Sequence, residues 1–312
     1  MKILLTGSSG QVGHALQTSL AGFGEIIAPK REQLDLSNTT AIQEFVAASQ
    51  PDLIINPAAY TAVDLAEDEV TLAHAINAQA AKAFADQAHT LNIPLIHCST
   101  DYVFDGEKRD DQGNFCPYEE SDDCAPIGVY GASKRAGELA IMASGCRHLI
   151  LRTSWVYSDF GKNFMLTMLR LGADRDQLKV VKDQWGAPTS ALWIADKTAE
   201  IVGQIQSADN PQEWWQQHQG IVHLTPANST NWQTFAQAIF EAAFELQLMT
   251  RKPEVLGIPS SEYPTRAKRP HNSMLSTARL NKLFGIDVPK WEDCLLDCLR
   301  QMKNKQLTKE LA

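Results

Sequence analysis

The sequence predicts an α/β protein with a doubly wound parallel sheet and a smaller, interleaved C-terminal lobe. Three observations carry that expectation. Short, uniformly apolar runs alternate with longer amphipathic ones through the first half of the 312 residues. Gly7, Gly10 and Gly13, spaced three apart, follow the first apolar run directly. Beyond about residue 155 the alternation loosens into proline-bearing turns and irregular stretches.

In chain order, the strand candidates are residues 2–6, 25–28, 53–56, 95–99 and 149–153. Each is apolar along its length, with no polar/apolar alternation, so both faces of the sheet should be covered. The covering helices are expected over 11–22, 39–49, 72–92 and 130–144. In the third of these, Ala75, Ile76, Ala80, Ala83, Phe84 and Ala88 recur near helical spacing, and the small alanines allow close packing. Further on lie turns at Ala187-Pro188-Thr189 and from Ser260 to Pro264, and a helical run over 232–248. The stretch 206–219, QSADNPQEWWQQHQ, reads as a polar surface insertion whose Trp214 and Trp215 pack locally.

Composition narrows the function classes. With 44% hydrophobic residues, 21% charged residues and a net charge of -9, the chain reads as a soluble globular protein. Nonspecific binding to nucleic acid or to an anionic membrane needs clustered positive charge, so neither partner is expected. The six cysteines, at 98, 116, 124, 146, 294 and 298, form no C-x-x-C pair and no zinc-spaced Cys/His cluster. Reduced thiols in a cytoplasmic protein are expected, because the start lacks a signal-peptide pattern and no apolar run approaches membrane-span length.

A glycine-rich turn between a first strand and a first helix can cradle a dinucleotide pyrophosphate. The first glycine permits the tight turn, the second lets phosphate approach the main chain, and the third lets helix and strand pack closely. Here the spacing is G-x-x-G-x-x-G, one residue longer than the common dehydrogenase form, and its place after an N-terminal strand points to a Rossmann-type domain. That domain is expected over 1–155, with 156–312 a mainly substrate-binding lobe interleaved with it. The second strand ends in Ala28-Pro29-Lys30-Arg31, with its first acids later, at Glu32 and Asp35. Lys30 and Arg31 at that point favour the 2'-phosphate of NADPH, while a solvated charge pair is the alternative.

"VYGASKRAGE" places Tyr130 and Lys134 four apart, on one face of a helix. A phenol with a pKa of about 10 is a poor proton donor at neutral pH, and a neighbouring ammonium would lower that value. The spacing alone is a weak signal. It gains weight from "HCSTDYVFDG", which sets Ser99, Thr100 and Asp101 at the carboxyl edge of a parallel sheet, where ligands of such sheets bind. A hydroxyl there can donate to a substrate carbonyl while Tyr130 supplies the proton.

With these residues the chain resembles the extended short-chain dehydrogenase/reductases, and within them the dTDP-4-dehydrorhamnose reductase family. The stretches that carry the resemblance span nearly the whole chain: "GSSGQVG", "NPAAYTAVDLAE", "INA" at 76–78, "STDYVFDG", "VYGASKRAGE", "LRTSWVY", "DQWGAPTS" and "RPHNSML". The resemblance implies reduction of the C4 ketone of dTDP-4-dehydro-L-rhamnose by NADPH, with NADH also accepted. It implies Tyr130 as general acid, Lys134 on the nicotinamide ribose and Thr100 polarising the ketone. Gly10, Gln11 and Val12 would contact the pyrophosphate, Asp35 and Leu36 the adenine side, and Ala59, Tyr60 and Thr61 the middle of the cofactor. Asp101 and Trp155 would touch the sugar nucleotide, Trp155 as a stacking surface for thymine, and Arg269 would meet its diphosphate. For Trp155 and Arg269, roles in the core or at the surface are the alternatives.

Departures from the family pattern bear on partners. Some members carry a glutamate two residues after the third glycine, in a magnesium-bridged dimer contact, and this chain has Ala15. The acidic pair expected after "GAPT" is replaced by Ser190-Ala191-Leu192-Trp193. No metal site is therefore expected, Mg2+ is doubtful, and a monomer or a differently built homodimer stays open. The acidic stretch between Asp105 and Tyr130 reads as a solvated surface turn or an altered substrate-side loop. A non-catalytic relative, such as the regulatory subunit of methionine adenosyltransferase, is disfavoured by the complete Thr100/Tyr130/Lys134 set. A dehydratase is disfavoured by Asp101-Tyr102 after Thr100, where it would carry Asp-Glu; an epimerase or another sugar-nucleotide reductase is a further alternative.

Overall fold

Six parallel strands make the central sheet of the computed structural model, which describes residues 1–310. Five come from the first half of the chain: β1 (Lys2–Leu5), β2 (Glu25–Ile27), β3 (Leu53–Asn56), β4 (Leu95–Thr100) and β5 (His148–Thr153). The sixth, Gly220–His223, adds to the free edge of β5, so the spatial order runs Gly220–His223, β5, β4, β3, β1, β2. Helices α1 (Gln11–Ser19), α2 (Thr39–Ser49), α3 (Val63–Ala66), α4 (Val70–His74), α5 (Ala80–Thr90) and α6 (Val129–Ala143) connect or cover the first five strands.

Successive side chains along a strand point to opposite faces, and here both faces are dry. Ile3, Leu5, Leu53 and Ile55 pack with Leu16 and Leu20 of α1 and with Ile194 and Ile201 of the helix Ala191–Ser207. Leu4, Ile54, Leu95 and Ile150 pack on the other side with Val46 of α2, Phe84 of α5 and Ile141 of α6. Burying each such side chain is worth about 1.5–3 kcal/mol. A third cluster, including Tyr157, Met165, Leu178, Phe235, Ile239, Trp291 and Leu299, lies wholly beyond residue 155, beside the parallel pair Gln177–Val181 and Glu254–Ile258.

Three elements differ from expectation. The helix expected over 72–92 is α4 and α5 joined by a π turn at Ala75–Gln79. Asn77 in that turn accepts from the Tyr60 N–H and donates to the Tyr60 carbonyl and to the Ser133 hydroxyl. Gly137 of α6 crosses so close that a Cβ there would lie 2.2 Å from the Asn77 carbonyl oxygen. Helix α1 stops at Ser19, and Ala21–Phe23 forms a separate 3-10 turn. The tryptophan-bearing stretch contains the helix Pro211–His218, capped by Asn210. Its Trp215 is buried in the core, while Trp214 stacks on His218.

Parallel pairing brings the carboxyl ends of the strands to one edge. Thr6, just past β1, donates to Asn56 at the end of β3, and Thr100 of β4 sits in register with Thr153 of β5.

Candidate active site

A cleft of about 470 Å³ follows this edge. Gly7, Gly10, Gln11, Val12 and Gly13 line its middle. Pro29, Arg31, Asp35 and Leu36 line the side beyond β2, and Cys98, Ser99, Tyr130, Lys134 and Thr153 the side toward β4 and β5. Two of these glycines, Gly7 and Gly13, are required by shape. Gly7 has φ of 58°, a left-handed conformation, and a Cβ on Gly13 would lie 2.1 Å from the Gly7 carbonyl oxygen. Helix α1 begins with Gly10 as its cap and no side-chain cap bond, which leaves first-turn N–H groups available to an anion. A long groove with such a turn at its centre fits an extended dinucleotide.

The expected cofactor contacts divide. Ala59 and Thr61 line the cleft, but Tyr60 does not. Its N–H is taken by Asn77 at 2.8 Å and its hydroxyl donates to Glu69 at 2.7 Å. Arg31 reaches the cleft wall and Lys30 stays outside it. The Ser37 N–H and hydroxyl donate to Asp35 at 2.9 and 2.8 Å and hold its carboxyl below the ordinary range, with Arg31 adding a smaller pull.

Tyr130 and Lys134 arrive together on α6, whose position is fixed by a buried ion pair. Arg152 of β5 grips Glu138 of α6 through Nε and Nη2 at 2.8 and 2.7 Å, and Ser99 of β4 donates to the same carboxylate at 2.6 Å. Burial opposes the Glu138 charge, yet the bonds and charge of Arg152 offset it, and the carboxyl sits below its ordinary range. Lys134 is also buried, donates to the Cys98 carbonyl at 2.6 Å, and is pulled down to about 8 by burial.

The lowering of the Tyr130 pKa expected from the four-residue spacing is not realised. Burial pushes the phenol up to about 12, and the group that pulls the other way is the Thr100 hydroxyl. The Lys134 amine is drawn instead to the main chain of β4. A phenol in this setting keeps its proton at neutral pH.

Of the remaining predicted residues, Asp101 lies near enough to Tyr130 to act on its charge, while Arg269 and Trp155 have partners of their own. Asp101 is buried, with Oδ1 accepting from Thr100 at 3.0 Å and Oδ2 within hydrogen-bond distance of no partner among the described residues, and burial pushes it up to about 6 against the smaller pulls of Ser273 and Thr100. The Tyr102 ring meets Tyr130 edge-on at 5.6 Å, and Arg269 lies beside Tyr102 while pairing with Asp64 at 2.8 Å. Trp155, at φ of 47°, stacks on Trp232 at 3.6 Å and lies against Gly186, where a Cβ would come within 2.6 Å of the indole. Thr100, Asp101, Trp155 and Arg269 are not part of the cleft wall described above. Ala15 and Trp193, at the two departures from the acidic pattern, pack into the same apolar cluster.

Other residues complete the cleft. Gly161 and Lys162 reach it from the second half of the chain, on a loop latched to the glycine turn. Ser158 and Asn163 both donate to the Gln11 side-chain oxygen at 2.9 Å, and Phe160 stacks on His14 of α1. Ile76 enters from the π turn. Among the described residues, no group of three or more His, Cys, Asp or Glu side chains is arranged to hold a metal, and no helix is long and apolar enough to cross a membrane.

The fold and the cleft define a Rossmann-type protein with a tyrosine–lysine pair beside its glycine turn, the arrangement of the extended short-chain dehydrogenase/reductases. Within that class, the chain belongs to the family described as the RmlD substrate binding domain, whose model matches residues 1–304. It is 40% identical over 304 residues to the dTDP-4-dehydrorhamnose reductase of Burkholderia thailandensis, covering 97% of this chain and 99% of that one. The Escherichia coli K12 protein of the same name is 41% identical over 296 residues, covering 94% and 95%. Among solved structures, the dTDP-4-dehydrorhamnose reductase of Bacillus anthracis in complex with NADP is 33% identical with a TM-score of 0.84, covering 96% of this chain and 99% of that one. A UDP-glucose 4-epimerase from Thermotoga maritima, 16% identical with a TM-score of 0.74 and covering 98% and 100%, shares the fold alone.

Proposed function

We propose that this chain reduces the C4 ketone of dTDP-4-dehydro-L-rhamnose to dTDP-L-rhamnose with NADPH. The observation that carries the reading is the meeting of Tyr130 and Lys134 with the glycine turn in one cleft, in a chain of the family whose relatives bear that activity in their names.

When bound, NADPH supplies the hydride. Gly7, Gly10, Gln11, Val12 and Gly13 hold its pyrophosphate, Arg31 its 2'-phosphate, Asp35 and Leu36 its adenine side, and Ala59 and Thr61 its middle. Lys134 holds the nicotinamide ribose. Tyr130 gives its phenolic proton to the ketone oxygen, so one hydride and one proton add across the C=O bond. The burial that pushes the phenol up to about 12 keeps that proton in place at neutral pH. Thr100, whose hydroxyl favours the phenolate, eases its release and orients the ketone. Asp101 and Trp155 bind the sugar nucleotide, and Arg269 its diphosphate.

The test is NADPH oxidation followed by absorbance with dTDP-4-dehydro-L-rhamnose beside its UDP and GDP counterparts. Consumption with the dTDP sugar and formation of dTDP-L-rhamnose is the expected result. No consumption with any of the three would sink the reading.

A further inference from the structure

We propose that His97 is a positioning residue for Lys134, its imidazole exchanging tautomers in step with the charge of the lysine amine. This rests on the role given to Lys134 in the proposed reduction. His97 lies on β4 and is 1% exposed. A buried imidazole needs partners for both nitrogens. Asn56 Nδ2 lies 3.1 Å from Nδ1, and Lys134 Nζ lies 3.1 Å from Nε2. Beyond Asn56, its Oδ1 accepts the Thr6 hydroxyl at 2.6 Å. The chain Thr6–Asn56–His97–Lys134 thus crosses β1, β3 and β4 to reach α6. Thr6 and Lys134, its two ends, both line the cleft.

The donor and acceptor count gives this chain two satisfied states. A neutral imidazole has one N–H and one acceptor nitrogen. With the Asn56 amide donating to Nδ1, Nε2 carries the proton and aims it at Nζ, which suits a neutral amine with a free lone pair. An ammonium has only donors. It requires Nε2 to accept, so the ring proton sits on Nδ1, Asn56 turns its oxygen toward it, and the amide then donates to Thr6, whose own proton turns toward the cleft that Thr6 lines. The ring holds one proton in both states; the amine alone gains one from solvent.

The surroundings leave the ring free to respond in this way. Burial, with the Lys134 charge, holds the His97 pKa well below its ordinary value, so the ring stays neutral. Lys134 also faces Cys98 of β4, pushed up to about 11 by burial, while Tyr130 of its own helix is pushed up to about 12. Both are neutral where the amine titrates. Glu138 on the same helix is matched by Arg152 of β5. Replacing His97 with an apolar side chain leaves the ammonium one acceptor, the Cys98 carbonyl. Its pKa must then fall further.

The test has two arms on the full chain. Nitrogen-15 NMR of the His97 ring should show the proton moving from Nδ1 to Nε2 as pH rises, with a midpoint near about 8, and Lys134→Met should abolish that change. A single tautomer across the range, or a change that survives in Lys134→Met, overturns the proposal. In the second arm, His97→Leu should move the alkaline fall of kcat/KM down by about one pH unit, and His97→Gln, whose amide oxygen accepts again, should restore most of it. An unmoved alkaline fall in His97→Leu also overturns it. If the wild-type chain does not turn over dTDP-4-dehydro-L-rhamnose, the proposed function fails, and the NMR arm still decides the coupling.

Discussion

Asn163 donates to the side-chain oxygen of Gln11 at 2.9 Å across 152 residues of chain. This latch holds the neighbouring Lys162 at the cleft wall beside the glycine turn. Gln11 is the first residue of α1, so the nearest phosphates would be those of the pyrophosphate. Lys162→Ala is therefore expected to weaken NADPH and NADH by a similar factor, roughly three- to tenfold. Calorimetric titration with both cofactors decides it. Loss confined to NADPH would move Lys162 to the 2'-phosphate, and no loss would remove it from binding.

Lys30 and Arg31 are adjacent in sequence but not equivalent in space, since only Arg31 lines the cleft. Arg31→Ala should raise the Kd for NADPH by roughly tenfold or more and leave NADH nearly unchanged, because a guanidinium pairs with phosphate through two N–H groups. Lys30→Ala should do little to either. Equal losses for the two cofactors in Arg31→Ala would refute the 2'-phosphate role.

Tyr130→Phe keeps the ring at the cleft wall and removes the transferable proton. Turnover should drop by at least roughly a hundredfold while NADPH affinity stays within about twofold. Single-turnover absorbance measurements check this apart from product release. Turnover equal to wild type would eliminate Tyr130 as the acid.

Asp101 links the site to stability. Burial raises its pKa from 3.8 to about 6 in the folded chain. Between these values the folded state holds the extra proton, so the contribution is full below about 4 and is lost as pH rises through about 6. Asp101→Asn carries no charge to bury. It should melt roughly a few degrees above wild type at neutral pH and close to it near pH 4. Melting curves that differ equally at both pH values would contradict the assignment.

What the sequence disclosed follows from range. The glycine turn and the Tyr130/Lys134 pair are local patterns, each set by one turn or one helix face, so spacing alone located them. Lys162 reaches the cleft through a latch spanning 152 residues of chain, and Trp232 meets Trp155 only through tertiary packing, so no local spacing reports either contact. His97 was hidden for another reason. It sits in a strand that reads as apolar, and nothing within LIHCST says which inward side chain will find an amine opposite. The π turn at Ala75–Gln79 was likewise invisible, because one extra residue in a turn barely disturbs the alanine pattern around it. The Tyr130 pKa departs from the expectation because spacing reports proximity along a helix and not where the amine points, here to the Cys98 carbonyl.

Strand Gly220–His223 closes the sheet against β5. During synthesis, the chain through Thr153 therefore emerges with an unpaired parallel edge, and that edge waits while the next stretch is translated. Until then, Leu149 and Leu151 lack the cover supplied later by Val222 and Leu224. A polypeptide released early would present that bare border to other chains, so truncation should lead to clumping and not to a smaller working unit.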